Sequence, residues 1–152
     1  MINNNFEKKL KSKEFVFTAE TSPPDSTVRS EITDRVLCLK NLADAINVTD
    51  GASAKSHLSS LVVSSIIKDI EIEPILQLTT RDRNRIAIQS DLLGAWTLNI
   101  QNILCIYGDQ VETGDQPETK EVRDLDTLGV INTANYFLSL IHISEPTRLD
   151  GI

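Results

Sequence analysis

The sequence predicts an α/β fold, the first half of a (β/α)8 barrel made of about four βα units. Short apolar or β-branched runs alternate with stretches of helical periodicity, and a new strand arrives roughly every thirty residues, the repeat of a parallel βα unit. Polar residues stand at the strand ends: Glu20, Thr49-Asp50, Gln77 with Thr79, and Asp109. In a barrel the carboxyl ends of successive strands form one mouth, so these four positions converge. The glycine signatures of competing parallel folds are missing. Ser22-Pro23-Pro24 follows the first strand where a dinucleotide-binding sheet places Gly-x-Gly-x-x-Gly, and no phosphate-binding Walker loop occurs in the chain.

Each element has its own warrant. Phe15, Val16, Phe17 and Thr18 favour a pleated backbone, and Pro23-Pro24 cannot donate to a ladder, so the first strand ends near Ser22 with Glu20 at its carboxyl end. Asp25-Ser26 supplies caps for a first helix whose apolar face is Val28, Ile32, Val36, Leu39 and Ala43. Ala45 to Thr49 is a second strand, stopped by the turn signal Asp50-Gly51. Leu58, Leu61, Val62, Ser65 and Ile66 mark a second helix. Glu73 to Leu78 is a third strand with Pro74 at its start, where a missing donor does least harm. A third helix spans Asp82 to Leu98 with Ile86, Gln89, Leu93 and Trp96 on one stripe, and Asn99 suits the left-handed position after it. Ile103 to Tyr107 is a fourth strand, apolar throughout and expected to be buried on both faces. Gln110 to Arg123 reads as an exposed loop and a candidate ligand lid, after which Asp126 caps a fourth helix through Thr127, Leu128, Val130, Ile131 and Tyr136.

Composition narrows the function classes. The 152 residues are 40% hydrophobic and 24% charged, as in a single soluble domain, and the net charge of −7 argues against nucleic acid or an anionic membrane as partner. Met1 to Lys13 is polar and contains no apolar core of a signal peptide, so a cytoplasmic location is expected. Cys38 and Cys105 are read as reduced core residues, His57 as a satisfied or surface histidine, and no metal site is expected. Arg81 and Arg83, just past the third strand, either meet a phosphate or flank a helix start, the second being the commoner role for arginine. Ser139 to Arg148 resembles the translation of a transposase sequencing adapter, so residues 139–152 are expected to be a non-native tail on a natural segment 1–138.

Gln77-Leu-Thr-Thr-Arg-Asp-Arg-Asn84, Ser90-Asp-Leu-Leu-Gly94 and Leu104-Cys-Ile-Tyr-Gly-Asp109 resemble motifs of the bacterial methylenetetrahydrofolate reductases. Phe17-Thr-Ala-Glu-Thr-Ser-Pro-Pro24 and Val48-Thr-Asp-Gly-Ala52 are similar to that family's first two strand-end motifs, in the same order and spacing. The resemblance runs from Phe15 to about Asn135 and implies the amino-terminal half of a flavin-dependent barrel. Such a barrel converts 5,10-methylenetetrahydrofolate to 5-methyltetrahydrofolate with FAD (or FMN) and NAD(P)H, in one-carbon and methionine metabolism. The half barrel alone is expected to be inactive. Carried over residue by residue, Glu20 matches the catalytic acid and Asp109 the aspartate on the flavin and folate side. Thr49, Gly51, Ala52, Gln77, Thr79 and Gly108 fall on positions that line the flavin. Gln77 stands where some relatives have histidine, Tyr107 where others have arginine or threonine, and Thr21-Ser22 where others have bulkier residues. Folate is the implied partner, and a homo-oligomer or a fused or separate partner subunit stays open. Two other readings fit the strand-end polar groups: a pterin-binding methyltransferase barrel without flavin, and a non-catalytic accessory subunit of a reductase.

Overall fold

All four strands run parallel and pair in the order in which the chain makes them, β1-β2-β3-β4. The computed structural model describes residues 5–141. The elements are α1 (Asn5–Ser12), β1 (Thr18–Thr21), α2 (Arg29–Leu37), β2 (Ala45–Val48), α3 (Ser60–Asp69), β3 (Pro74–Thr79), α4 (Arg85–Thr97), β4 (Asn102–Ile106) and α5 (Thr127–Ile141). Single turns of 3-10 helix lie at Ala52–Ala54 and Val111–Thr113. Of the expected non-native tail, only 139–141 are described, as the end of α5; the rest lies outside the described residues.

The sequential order separates barrel from doubly wound sheet. A doubly wound sheet reverses its strand order at a switch point and carries helices on both faces; here no reversal occurs. Partner residues in parallel strands share a face, and the pairs Ala19 with Ile46, Val48 with Leu76, Leu76 with Ile103 and Leu78 with Cys105 lie on a single one. On that face Ile46 and Val48 pack against Ile32 and Val36 of α2 and Val63, Ile66 and Ile67 of α3. Leu78 packs with Ile88 and Leu92 of α4 and with Val130 and Phe137 of α5, while Leu76 meets Ala95 and Ile100. Each of the buried Val, Leu, Ile and Phe side chains among these contributes about 1.5–3 kcal/mol by leaving water. The opposite face, with Glu20, Asn47, Ile75, Gln77 and Leu104, carries no helix packed on it among the described residues. The architecture is four βα units of a barrel.

Several sequence expectations shift by a face or a turn. β1 is shorter than expected because its partner strand begins only at Ala45, opposite Thr18, and Phe15 and Phe17 stay exposed. The Ile86, Gln89, Leu93, Trp96 stripe of α4 points outward, Ile86 being 73% exposed, and Ile88, Leu92 and Ala95 are buried instead. In α3 the expected face is only partly right: Ile66 is buried and Leu58 and Leu61 pack against the core, but Val62 is outside, and Ser60, Val63, Ser64 and Ile67 complete the buried side. α4 begins at Arg85 and not at the expected Asp82, because Asn84 caps it, its Oδ1 accepting the Ala87 N–H at 3.0 Å. Among the described residues β4 has only β3 beside it, so it is half-buried and Leu104 is exposed, not covered on both faces. Cys38 is exposed at the end of α2, off the Ile32–Val36 stripe, so it is no core residue; Cys105 is half-buried, and burial pushes its thiol pKa up. Helix α1, unassigned in the sequence, is tied to the sheet by Lys9, whose Nζ lies 2.5 Å from Asp44 Oδ1, while Asp44 Oδ2 accepts the Phe17 N–H at 3.0 Å.

Asn99 does take the left-handed conformation, with φ 58°, and Asp126 does cap α5 by accepting the Gly129 N–H at 2.7 Å. His57 is satisfied, its Nε2 lying 3.3 Å from Ala52 O. Among the described residues no cluster of His, Cys, Asp or Glu could hold a metal ion, and no helix is long and apolar enough to cross a membrane.

Candidate active site

The carboxyl ends of the strands carry two layers of polar contacts, one structural and one open. The structural layer centres on Asp50, directly after β2 and buried. Its carboxylate accepts from Ser60 Oγ at 3.2 Å, from the Thr79 N–H at 2.9 Å, and from Arg83 through Nη1 at 2.7 Å and Nη2 at 3.2 Å. Arg83 also donates to Thr79 Oγ1 at 3.2 Å and, through Nε, to Asp91 at 2.8 Å. Burial opposes the charge on Arg83, yet Asp50 and Asp91 outweigh it and hold the guanidinium pKa above its ordinary value. Thr79 is thereby wholly buried with its hydroxyl already engaged.

Arg81 forms the second tie. Its Nε and Nη2 donate to the two Asp82 oxygens at 2.7 and 2.8 Å, and its Nη1 donates to Gly51 O at 3.1 Å and Asp109 O at 3.3 Å. The hydrogen-bonded Asp82 carboxylate raises the Arg81 pKa. The turn beside it passes through positive φ at Gly51 (58°), Ser53 (57°) and Ala54 (53°). Left-handed non-glycine residues cost on the order of 1 kcal/mol or more each, and persist where surrounding contacts over-determine them. Here the strained turn delivers the Ser53 N–H to Asp109 Oδ2 at 2.7 Å.

The open layer lies on the helix-free face. Gln77, buried on β3, donates from Nε2 to Glu20 Oε2 on β1 at 3.3 Å, reaching across β2. Glu20 itself is exposed. Thr49 is buried and its Oγ1 has no hydrogen-bond partner among the described residues. Glu20 and Asp109 are held by different groups, Gln77 and the Ser53 amide, and no hydrogen bond joins them among the described residues. Their strands are the two edges of the sheet, three interstrand steps or about 14 Å apart along it.

The 110–123 loop is fastened rather than free-standing. Arg81 O accepts the Val122 N–H at 2.8 Å, Tyr107 O accepts from Arg123 Nη1 at 2.8 Å, and the Arg123 guanidinium lies 3.7 Å from the Tyr107 ring centroid. Val111 is buried, and at Gly114 an added Cβ would stand 2.2 Å from Ala54 O, so this loop and the 52–54 turn pack backbone to backbone. Asp124 then takes the Arg85 N–H at 2.9 Å and its guanidinium at 2.8 and 3.0 Å.

Residues 5–141 match the family model described as methylenetetrahydrofolate reductase. The chain belongs to the methylenetetrahydrofolate reductase family. No curated protein matches it closely enough to count as a relative. Within this family member, the eight residues singled out in the sequence lie at or just past the carboxyl ends of β1 to β4. The structure brings Glu20 to Gln77, and brings Gly51 and Asp109 together through Arg81. Asp50, Arg81 and Arg83 were missed as a network: Asp50 reads as a turn former and as one polar group of the mouth, whereas it pairs with Arg83, and Arg81 bonds Asp82 and two backbone carbonyls. The charge-complementary run Arg81-Asp-Arg83 after one strand and Asp50 after its neighbour was the available signal, and it becomes legible only once strand order makes those ends adjacent.

Proposed function

We propose that this chain forms the amino-terminal half of the catalytic barrel of a flavin-dependent reductase that converts 5,10-methylenetetrahydrofolate to 5-methyltetrahydrofolate with NAD(P)H. The observation that carries this reading is the Gln77–Glu20 hydrogen bond on the helix-free face, beside the unpartnered hydroxyl of Thr49. A flavin ring presents carbonyl and N–H groups along one edge, and a carboxamide, a buried hydroxyl without a partner and backbone groups of glycine turns are the donor set that such an edge requires. Thr49, Gly51, Ala52, Gln77, Gly108 and Asp109 would hold it, with Thr79, wholly buried and bonded to Arg83 and Asp50, fixing the end of β3. The bound flavin supplies the hydride.

The protein's own part is proton placement and charge. Opening the folate's five-membered ring transfers a proton to the bridging nitrogen as its bond to the methylene carbon breaks, leaving a methylene iminium on the other nitrogen. Glu20 is the donor of that proton, oriented by Gln77. The iminium carbon then accepts hydride and becomes the methyl group. Asp109 is the second acidic group of the mouth, and its carboxylate would stabilise the developing cation. Its carboxylate is held in place by the Ser53 amide.

An absorption titration of the intact reductase with FAD and FMN, followed by bleaching with NADH or NADPH, tests the reading. A bound yellow chromophore that bleaches is expected. Tight folate binding with no flavin bound would instead favour a pterin-dependent methyl transfer and overturn the assignment.

A further inference from the structure

We propose that Arg81 is a positioning residue for Asp109, acting by clamping the turn after β2 to the end of β4. This inference rests on the role given to Asp109 above. Arg81 is 4% exposed, and every nitrogen of its guanidinium is hydrogen-bonded. The fork of Nε and Nη2 on Asp82 fixes the plane of the group, which leaves Nη1 aimed between Gly51 O and Asp109 O. Those two carbonyls belong to the two segments whose separation decides whether the Ser53 N–H reaches the Asp109 carboxylate. The fit is close on the Gly51 side, where an added Cβ would lie 2.3 Å from Arg81 Nη2, and Gly51 has φ 58°. A lysine has one point charge in place of a planar fork and cannot hold Asp82 and both carbonyls at once.

The clamp differs from a general staple because it acts on Asp109 and not on the neighbouring strand end. The Thr79 N–H is held by Asp50, which Arg83 and Ser60 orient without Arg81. Loss of Arg81 should therefore release Ser53 and leave Thr79 unchanged. Arg81→Lys and Arg81→Ala in the intact reductase are compared with wild type by amide hydrogen exchange and by steady-state kinetics, with and without added guanidinium ion. Exchange at Ser53 is expected to quicken about tenfold or more, as befits one lost hydrogen bond, with Thr79 unchanged. The kcat for folate reduction falls about 10²-fold with KM within a few-fold, since small misplacement of a reacting-site charge has that effect. Guanidinium restores part of both losses in Arg81→Ala, where it has room, and not in Arg81→Lys. Unchanged Ser53 exchange in both variants, equal acceleration at Ser53 and Thr79, or a rise in KM with kcat intact would each overturn the proposal. The exchange pattern needs no flavin and no turnover, so it decides about Arg81 even if the reductase reading fails on the flavin titration.

Discussion

Arg83 holds Asp50 through both terminal nitrogens of its guanidinium, at 2.7 and 3.2 Å. Asp50 follows β2 and Arg83 follows β3, so the pair fixes two neighbouring strand ends against each other where the site residues emerge. Asp91 on α4 takes the remaining Nε, which extends the tie to the helix layer. The Asp50 carboxylate also accepts the Thr79 N–H at the end of β3 and the Ser60 hydroxyl at the start of α3. One acidic side chain thus couples a strand, a helix start and a loop.

Removing one partner of this pair should be costly, because the other charge is left buried. Asp50→Ala is expected to lose about 3–5 kcal/mol in urea unfolding. Asp50→Asn keeps an acceptor for Thr79 and should lose less, on the order of 2 kcal/mol. Losses below about 0.5 kcal/mol for both would mean that the ion pair is incidental to the fold.

The outward turn of the α4 stripe is tested by two isoleucines two residues apart. Ile88 is wholly buried, so Ile88→Ala should lose about 2–5 kcal/mol. Ile86 is 73% exposed, and Ile86→Ala should stay within about 0.5 kcal/mol of wild type. A larger loss at Ile86 than at Ile88 would restore the face expected from the periodicity.

Strand number, order of elements and the strand-end motifs were legible because they depend on local chemistry: β-branched runs, proline and glycine stops, and helix caps such as Asp126. Which side of a helix is buried was not, since Ile86, Leu93 and Trp96 and the true core residues Ile88, Leu92 and Ala95 form two apolar stripes on one helix. Periodicity finds both and cannot rank them; the sheet they pack against does. The reach of Phe15 and Phe17 was overestimated for a related reason, since a strand is only as long as the partner that pairs with it. At the site, Glu20, Gln77 and Asp109 could be named from their strand ends. How they are held, Glu20 by Gln77 and Asp109 by Ser53 and Arg81, required the three-dimensional adjacency of β1 to β4.

Asp124 gives a pH-dependent contact. The Arg85 side chain, and then its backbone N–H, hold the Asp124 carboxyl well below its ordinary value, to about 2. A carboxylate whose folded pKa is depressed adds stability that is fully present above the unfolded value and is lost as pH falls through the folded one. The tie between the loop and the start of α4 should therefore hold at neutral pH and fail between about pH 4 and pH 2. A carboxyl-carbon NMR titration should give Asp124 a midpoint near 2, moving up toward the ordinary value in Arg85→Gln. An ordinary midpoint with Arg85 intact would show that the two groups are apart in solution.

The acid assignment has the most direct consequence for turnover. In the intact reductase, Glu20→Gln removes the proton but keeps the shape and a hydrogen-bonding partner for Gln77. Folate reduction should fall about 10²–10⁴-fold, the usual worth of a positioned general acid, while flavin reduction by NAD(P)H proceeds at the wild-type rate. Gln77→Leu leaves the carboxyl in place and removes the donor 3.3 Å away, so its effect on folate reduction should be smaller, about tenfold. Stopped-flow measurement of the two half-reactions separates these effects. If Glu20→Gln slowed both half-reactions equally, the residue would serve the cofactor rather than the folate, and if it slowed neither, the proton would have to come from elsewhere.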